Sequence, residues 1–310
     1  MKLKAPSLQS GISSGFNGFF HGIHWFAKIS FEKAGYRFEY RRSGEAQLGL
    51  WRMAFRKKES PKRLVIIPGF GDTPLSWSSV LFFLRSTLMR EYDEVVVIDF
   101  PGFRGYLSRS RCIPTMDLLI SMVHGVLDSL KPHTVLGHSL GGWLSSHYAV
   151  QCGKGERPSL KNPSYGGPQK LILVSPSGVC GSAEEWNQWK NLFERVTKGE
   201  MNFRSYLFAK EPFWFKWISP EFIGFMTRED IVQFVKSFRE DHAVEKDLGS
   251  IESHVWLVWG EKDKLIPSRW ASHWAERIQK RETILIPEVG HTPQIEKPMK
   301  FAKALGAILV

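Results

Sequence analysis

Six short apolar runs punctuate this chain of 310 residues: Leu64–Ile67, Val95–Ile98, Thr134–Gly137, Leu171–Val174, Val255–Trp259 and Thr283–Ile286. Each is four or five residues long and rich in Val, Ile and Leu, a pattern that suits strands buried on both faces. Helical patterns, such as Met116–Leu130 and Leu140–Val150, lie between them. This alternation predicts an α/β fold, a mostly parallel central sheet flanked by helices. Ahead of the rhythm, Tyr36–Ser43 and Leu48–Arg56 read as a hairpin turning at Ser43-Gly44-Glu45.

One interval is too long for a single crossover. Eighty residues separate Val174 from Val255, and they carry 14 of the chain's 41 aromatic side chains. Residues 179–247 are expected to form a helical, aromatic-rich insertion folded over the sheet, leaving 36–178 and 248–310 as the core. Those aromatics serve either as pocket walls or as the insertion's own core. A second insertion, Gly153 to Gln169, is rich in Gly, Pro, Ser and Lys and reads as a surface loop. At the start, residues 1–35 form a separate amphipathic segment. Ile12, Phe16, Phe19, Phe20, Ile23, Phe26 and Ala27 recur at helical spacing, although Gly15, Gly18 and Gly22 weaken a free helix. This helix packs on its own domain or lies in a lipid interface.

The net charge of +11 is unevenly spread. Residues 1–63 hold 13 Lys/Arg against 4 Asp/Glu, whereas the rest is almost balanced. With no nucleic-acid motif beside it, the basic excess points to peripheral contact with an anionic membrane rather than to nucleic acid. No run of 18 apolar residues or secretory h-region occurs, and three cysteines make no disulfide framework. A cytoplasmic protein, peripheral at the membrane, is the expectation. No cofactor or metal is expected: phosphate-binding glycine motifs are absent, and His21 and His24 alone make a poor metal site.

The chemistry concentrates at Gly137-His138-Ser139-Leu140-Gly141, a G-x-S-x-G directly after a predicted strand and directly before a predicted helix. A sharp strand-to-helix turn exposes the serine oxygen on strained backbone, and glycines two residues either side remove side chains that would collide there. The helix N-terminus behind Ser139 offers unpaired N–H groups to a developing negative charge.

Here the chain resembles the α/β-hydrolase fold family, in the manner of a serine esterase or lipase with a cap. Leu64-Val-Ile-Ile-Pro-Gly-Phe-Gly-Asp-Thr resembles the first core parallel strand and its oxyanion loop. Val95-Val-Val-Ile-Asp-Phe-Pro-Gly-Phe-Arg-Gly-Tyr resembles the next strand and its turn. Val255-Trp-Leu-Val-Trp-Gly-Glu-Lys-Asp-Lys-Leu-Ile-Pro resembles the strand presenting the acid, and Pro287-Glu-Val-Gly-His-Thr-Pro the loop presenting the histidine. The insertion matches the family's cap in position only. The resemblance implies a triad of Ser139, Asp263 and His291, in the family's chain order. Ser139 would attack, His291 would take its proton, and Asp263 would hold the imidazole tautomer. Backbone N–H groups of Phe70 and Leu140 would form the oxyanion hole. Many relatives carry His-Gly in that loop, where this chain has Pro68-Gly69.

Competing roles remain open. Glu261 could replace Asp263 as the acid, whereas Asp99 suits loop ordering better. The preceding strand ends in Ser175-Pro176-Ser177, with no carboxylate. His138 suits a buried, hydrogen-bonded position. Trp77 and Trp143 are assigned to substrate binding, with core packing the alternative. Because the elbow carries a serine and not a carboxylate, acyl chemistry is expected: hydrolysis of carboxylic esters with apolar acyl or aromatic groups through an acyl-serine. C–C bond hydrolysis, acyl transfer and cofactor-free peroxidase-type chemistry use the same triad. A non-catalytic small-molecule-binding member is the reading from another class.

Overall fold

A computed structural model describes residues 28–43, 46–100, 115–156, 165–179, 181–201 and 203–310. Eight strands form one sheet in the order β1-β2-β4-β3-β5-β6-β7-β8. β1 (Arg37–Ser43) and β2 (Ala46–Ala54) are the expected hairpin, and β2 joins β4 (Glu94–Asp99) antiparallel. All remaining pairings, among β3 (Arg63–Ile67), β4, β5 (Thr134–His138), β6 (Lys170–Val174), β7 (His254–Gly260) and β8 (Arg281–Ile286), are parallel. In register, Ile66 stands beside Leu136, Leu136 beside Ile172 and Ile172 beside Trp256, an unbroken apolar row across the centre.

Five of the six apolar runs are interior strands, as expected. The sixth differs. Thr283–Ile286 lies in β8, the edge strand, where Leu285 is exposed and only Ile286 is buried. An edge strand has a neighbour on one side only, so its run of Thr, Ile and Leu is half-solvated.

Helices cover both faces. α1 (Ser78–Glu91) buries Leu81, Leu84 and Leu88. α2 (Met116–Leu130) spans the predicted residues and starts at Thr115, whose side chain accepts the Leu118 N–H at 3.2 Å. α3 (Leu140–Lys154) runs one turn beyond the predicted Val150 and stops at Gly155, in the left-handed region. Between β6 and β7 the chain is helical, as expected: α4 (Ala183–Thr197), α5 (Arg204–Leu207), α6 (Phe215–Met226) and α7 (Glu229–Lys236). α4 buries Trp186, Trp189 and Phe193 on one face, and the two indoles pack against Trp143. The β7–β8 crossover carries α8 (Trp270–Arg277), and α9 (Pro293–Glu296) and α10 (Pro298–Leu309) close the chain.

The apolar face over Ile12–Ala27, the Gly44-Glu45 turn and the Pro101–Tyr106 part of the second family-like segment lie outside the described residues, as do residues 157–164 of the Gly153–Gln169 loop and His21 and His24. Residues 28–33 are helical, and Phe31 packs on Tyr36 and Trp51. No helix of the described residues is long and apolar enough to cross a membrane.

Candidate active site

Parallel strands all point their carboxyl ends to one edge of the sheet, so the loops that follow them converge there. Phe70 follows β3, Ser139 follows β5, Asp263 follows β7 and His291 follows β8. That common edge is where the sequence-predicted triad assembles.

Ser139 has φ 53° and ψ −115°, a backbone conformation that costs an L residue about 1–3 kcal/mol. Packing enforces it. A Cβ on Gly137 would collide with the Ser145 hydroxyl and the Gly141 carbonyl, and one on Gly141 with the Ile67 and Pro68 carbonyls. Backbone bonds hold the turn from both sides. The Ser139 N–H donates to the Val174 carbonyl at 2.9 Å, and its carbonyl accepts from Trp143 at 3.0 Å and Ser177 at 3.1 Å.

His291 is buried and bonded through Nδ1 to Asp263 Oδ2 at 2.9 Å. The other carboxylate oxygen, Oδ1, accepts the N–H groups of Leu265 and Ile266, both at 2.9 Å. Asp263 is thus oriented by backbone before it meets the imidazole. Glu261, the rival acid, is exposed, and Asp99 is buried away from the cavity that holds His291. Burial pushes the Asp99 carboxyl up to about 7, and its Oδ1 has no partner among the described residues.

His138 is buried, as expected, and serves as a strut. Its Nε2 bonds the His291 carbonyl at 2.8 Å, and Gln294 Nε2 donates to its Nδ1 at 3.3 Å. Burial first, then the nearby His291, pushes its pKa down to about 3, so the ring is neutral at physiological pH. Gln294 also donates to Asp72 Oδ2 at 3.2 Å. Asp72 in turn accepts from the Thr73 N–H at 2.8 Å, from the Trp77 indole at 3.1 Å and from the Ser76 hydroxyl. Burial raises the Asp72 pKa, and these donors pull it back. One polar chain therefore links the His291 turn, the serine elbow and the loop after β3. Gly69 in that loop lies beside the elbow, where an added Cβ would stand 3.2 Å from Ser139 Cβ and 2.8 Å from His138 Nδ1. Phe70 follows, its ring stacked on Phe234 at 5.4 Å, while Leu140 opens α3 with its side chain in the core.

Ser139 and His291 open onto one cavity of about 340 Å³. Phe193, Phe203, Phe208, Phe215 and Leu265 contribute apolar walls, and Thr73, Ser76, Ser78 and Ser79 contribute polar ones. Neither Trp77 nor Trp143 is a cavity wall. Both are fully buried, and each indole N–H is already used, by Asp72 in one case and by the His242 carbonyl at 2.7 Å in the other. The core-packing alternative describes them. Sequence reasoning passed over Asp72, Gln294 and Glu296. The signal available was polar residues flanking the oxyanion loop and the catalytic-type histidine, too common a pattern to single them out. Among the described residues no cluster of His, Cys, Asp or Glu could hold a metal.

Comparison with known proteins agrees with this fold. Residues 64–304 match the profile of the alpha/beta hydrolase family. Human monoacylglycerol lipase ABHD6 is 22% identical over 277 residues, covering 81% of this chain and 77% of that one. A 1-acylglycerol-3-phosphate O-acyltransferase of Arabidopsis thaliana is 26% identical over 203 residues, 64% of this chain and 41% of its own. Among solved structures, a bacterial membrane phospholipase A superposes with a TM-score of 0.71 at 18% identity, covering 95% of this chain and 91% of that one. An esterase from Exiguobacterium antarcticum superposes with a TM-score of 0.65, also at 18% identity, over 87% of this chain and 98% of its own. With a family profile spanning most of the chain and an eight-stranded sheet of the matching kind, this protein belongs to the alpha/beta hydrolase family.

Proposed function

We propose that this protein is a carboxylic ester hydrolase working through an acyl-serine, and that its substrates are apolar acyl esters of small hydroxylated alcohols. The observation that carries the reading is the bonded His291–Asp263 pair sharing a cavity with a serine on a strained elbow. With Nδ1 held by Asp263, the imidazole has Nε2 left for the cavity, and no described residue occupies it. Ser139 Oγ attacks the ester carbonyl as His291 Nε2 takes its proton. The carbonyl oxygen becomes an oxyanion facing the Phe70 and Leu140 N–H groups. Collapse breaks the bond to the alcohol, which leaves with the proton from Nε2. Water then attacks the acyl-serine, His291 again takes a proton, and the acid departs with Ser139 restored. Asp263 stabilises the imidazolium in each half.

The mixed lining of the cavity supports the substrate class. Its aromatic walls suit an acyl chain, and its hydroxyl-bearing walls suit an alcohol with further hydroxyls. Residues 179–247 act as the cap, since Phe193, Phe203, Phe208 and Phe215 supply those aromatic walls. The Arabidopsis relative favours a second outcome, in which an acceptor alcohol replaces water on the acyl-serine. A panel of p-nitrophenyl esters tests the reading. Turnover should rise from acetate to octanoate, and a fluorophosphonate should label Ser139. No turnover on any ester together with no labelling would leave a binding protein instead. Added glycerol tests for transfer, with an acylglycerol as product.

We also propose peripheral contact with an anionic membrane at the cytoplasmic face. Phe213 and Trp217, 75% and 62% exposed, pack edge to face at 5.9 Å beside the cavity-lining Trp214 and Phe215. Phe82 and Phe83 lie one turn beyond the cavity-lining Ser78 and Ser79 and are likewise exposed. Exposed aromatics beside cavity-lining residues suit a lipid surface, and the basic excess of residues 1–63 suits an anionic one. Co-sedimentation with phosphatidylglycerol vesicles should weaken with salt and with Phe213 and Trp217 both changed to Ser. Binding indifferent to both changes would overturn the proposal.

A further inference from the structure

The short helix after His291 ends in a carboxylate engaged with a distant part of the chain. Glu296 Oε2 accepts the N–H of Gly290 at 2.7 Å and that of Ala209 at 3.2 Å, and Oε1 accepts that of Lys210 at 2.9 Å. The neighbouring Leu207 carbonyl accepts three donors from the histidine turn: the His291 N–H at 2.9 Å, the Thr292 N–H at 3.3 Å and the Thr292 hydroxyl at 3.2 Å. Residues 207–210 are therefore stitched along the turn 290–296. They approach so closely that a Cβ on Gly290 would stand 2.5 Å from the Ala209 nitrogen. Leu207 and Phe208 are at the same time walls of the cavity, and Phe208 braces Phe215 edge-on at 4.7 Å.

His291 has supports of its own. Asp263 holds its ring, and His138 holds its carbonyl. The Ala209 and Lys210 N–H groups, in contrast, find their acceptor in Glu296. A carboxylate suits this place because it offers acceptor sites on both oxygens and carries no donor to repel a converging N–H.

We infer that Glu296 is a positioning residue that fixes the Leu207–Phe208 wall against the histidine turn and so sets the preference for acyl chain length. The inference rests on the ester-hydrolase reading of the cavity. Loosening the wall leaves the Asp263 and His138 bonds to His291 in place but blurs the surface on which a long acyl chain lies. Such a displacement, away from the chemistry, alters kcat/KM through fit.

The test uses the full chain carrying Glu296→Gln, close to isosteric, in which an amide donor replaces one acceptor oxygen. Hydrogen exchange of the Ala209 and Lys210 amides should quicken by about tenfold relative to the wild type. In the same variant kcat/KM for p-nitrophenyl octanoate should fall about tenfold further than for the acetate, the difference lying in KM. Thr292→Val, which removes one donor to Leu207, should shift the ester ratio the same way by less, and it decides the matter if the Gln variant fails to fold. Equal losses on both esters, a difference confined to kcat, or unchanged exchange at 209–210 would overturn the inference. Should the wild type hydrolyse neither ester, the ester-hydrolase reading itself fails, and the exchange measurement still reports whether Glu296 holds the wall.

Discussion

Replacing Ser139 with alanine should lower kcat on every ester by a factor on the order of 10⁵ to 10⁶ while leaving the fold intact. The size follows from the role. Without a nucleophile no acyl-enzyme forms, and the remaining oxyanion and binding contacts can only assist attack by water. Stability should not fall, because the groups that hold the elbow are backbone N–H and carbonyl groups and the glycines around them, not the serine hydroxyl. Ser139→Gly is the informative companion. Glycine adopts the φ of 53° without a Cβ penalty, so this variant should be equally inactive yet more stable by about 1 kcal/mol. Steady-state kinetics on p-nitrophenyl octanoate and thermal unfolding check both halves. Retained turnover in purified Ser139→Ala protein would remove the nucleophile from the mechanism.

Asp263→Asn should be nearly as damaging, with kcat down by a factor of about 10⁴, for a different reason. The two backbone donors from Leu265 and Ile266 hold Oδ1 in place, and an asparagine oxygen can accept both. Its amide nitrogen then stands where Oδ2 now meets His291 Nδ1. A donor there makes Nδ1 an acceptor and puts the ring proton on Nε2, the atom that must accept the serine proton. The negative charge that stabilises the imidazolium is lost as well. Fluorophosphonate labelling of Ser139 should slow in step with kcat, while circular dichroism stays unchanged. Labelling at the wild-type rate would mean that Asp263 does not govern the base.

The elbow was legible in the sequence because its geometry is local. Strand, serine, helix and flanking glycines occupy consecutive positions, and each residue type answers to a collision with near neighbours in the chain. The candidate acid and base were legible only through the family that their segments resemble; the physical reason those segments can meet is that strands of a parallel sheet deliver their following loops to one edge. Trp77 and Trp143 show where that reasoning stops. An indole near an active site has the same sequence signature whether it faces ligand or core, and here Asp72 and the His242 carbonyl, claiming the N–H groups, mark the core. The edge position of β8 was equally hidden, because a run of apolar residues does not report how many strands lie beside it.

From the amino-acid order came the α/β layout and the serine turn, both matters of local pattern, whereas the candidate triad came from the family that the chain's segments resemble. Only the tertiary structure decided which face each aromatic turns to and what Gln294 and Glu296 hold. Their partners lie far away in the chain, as Gln294 reaches Asp72 and Glu296 reaches Lys210. A glutamine or a glutamate is compatible with many surroundings, and its role is set by whichever donors and acceptors folding brings within hydrogen-bond reach.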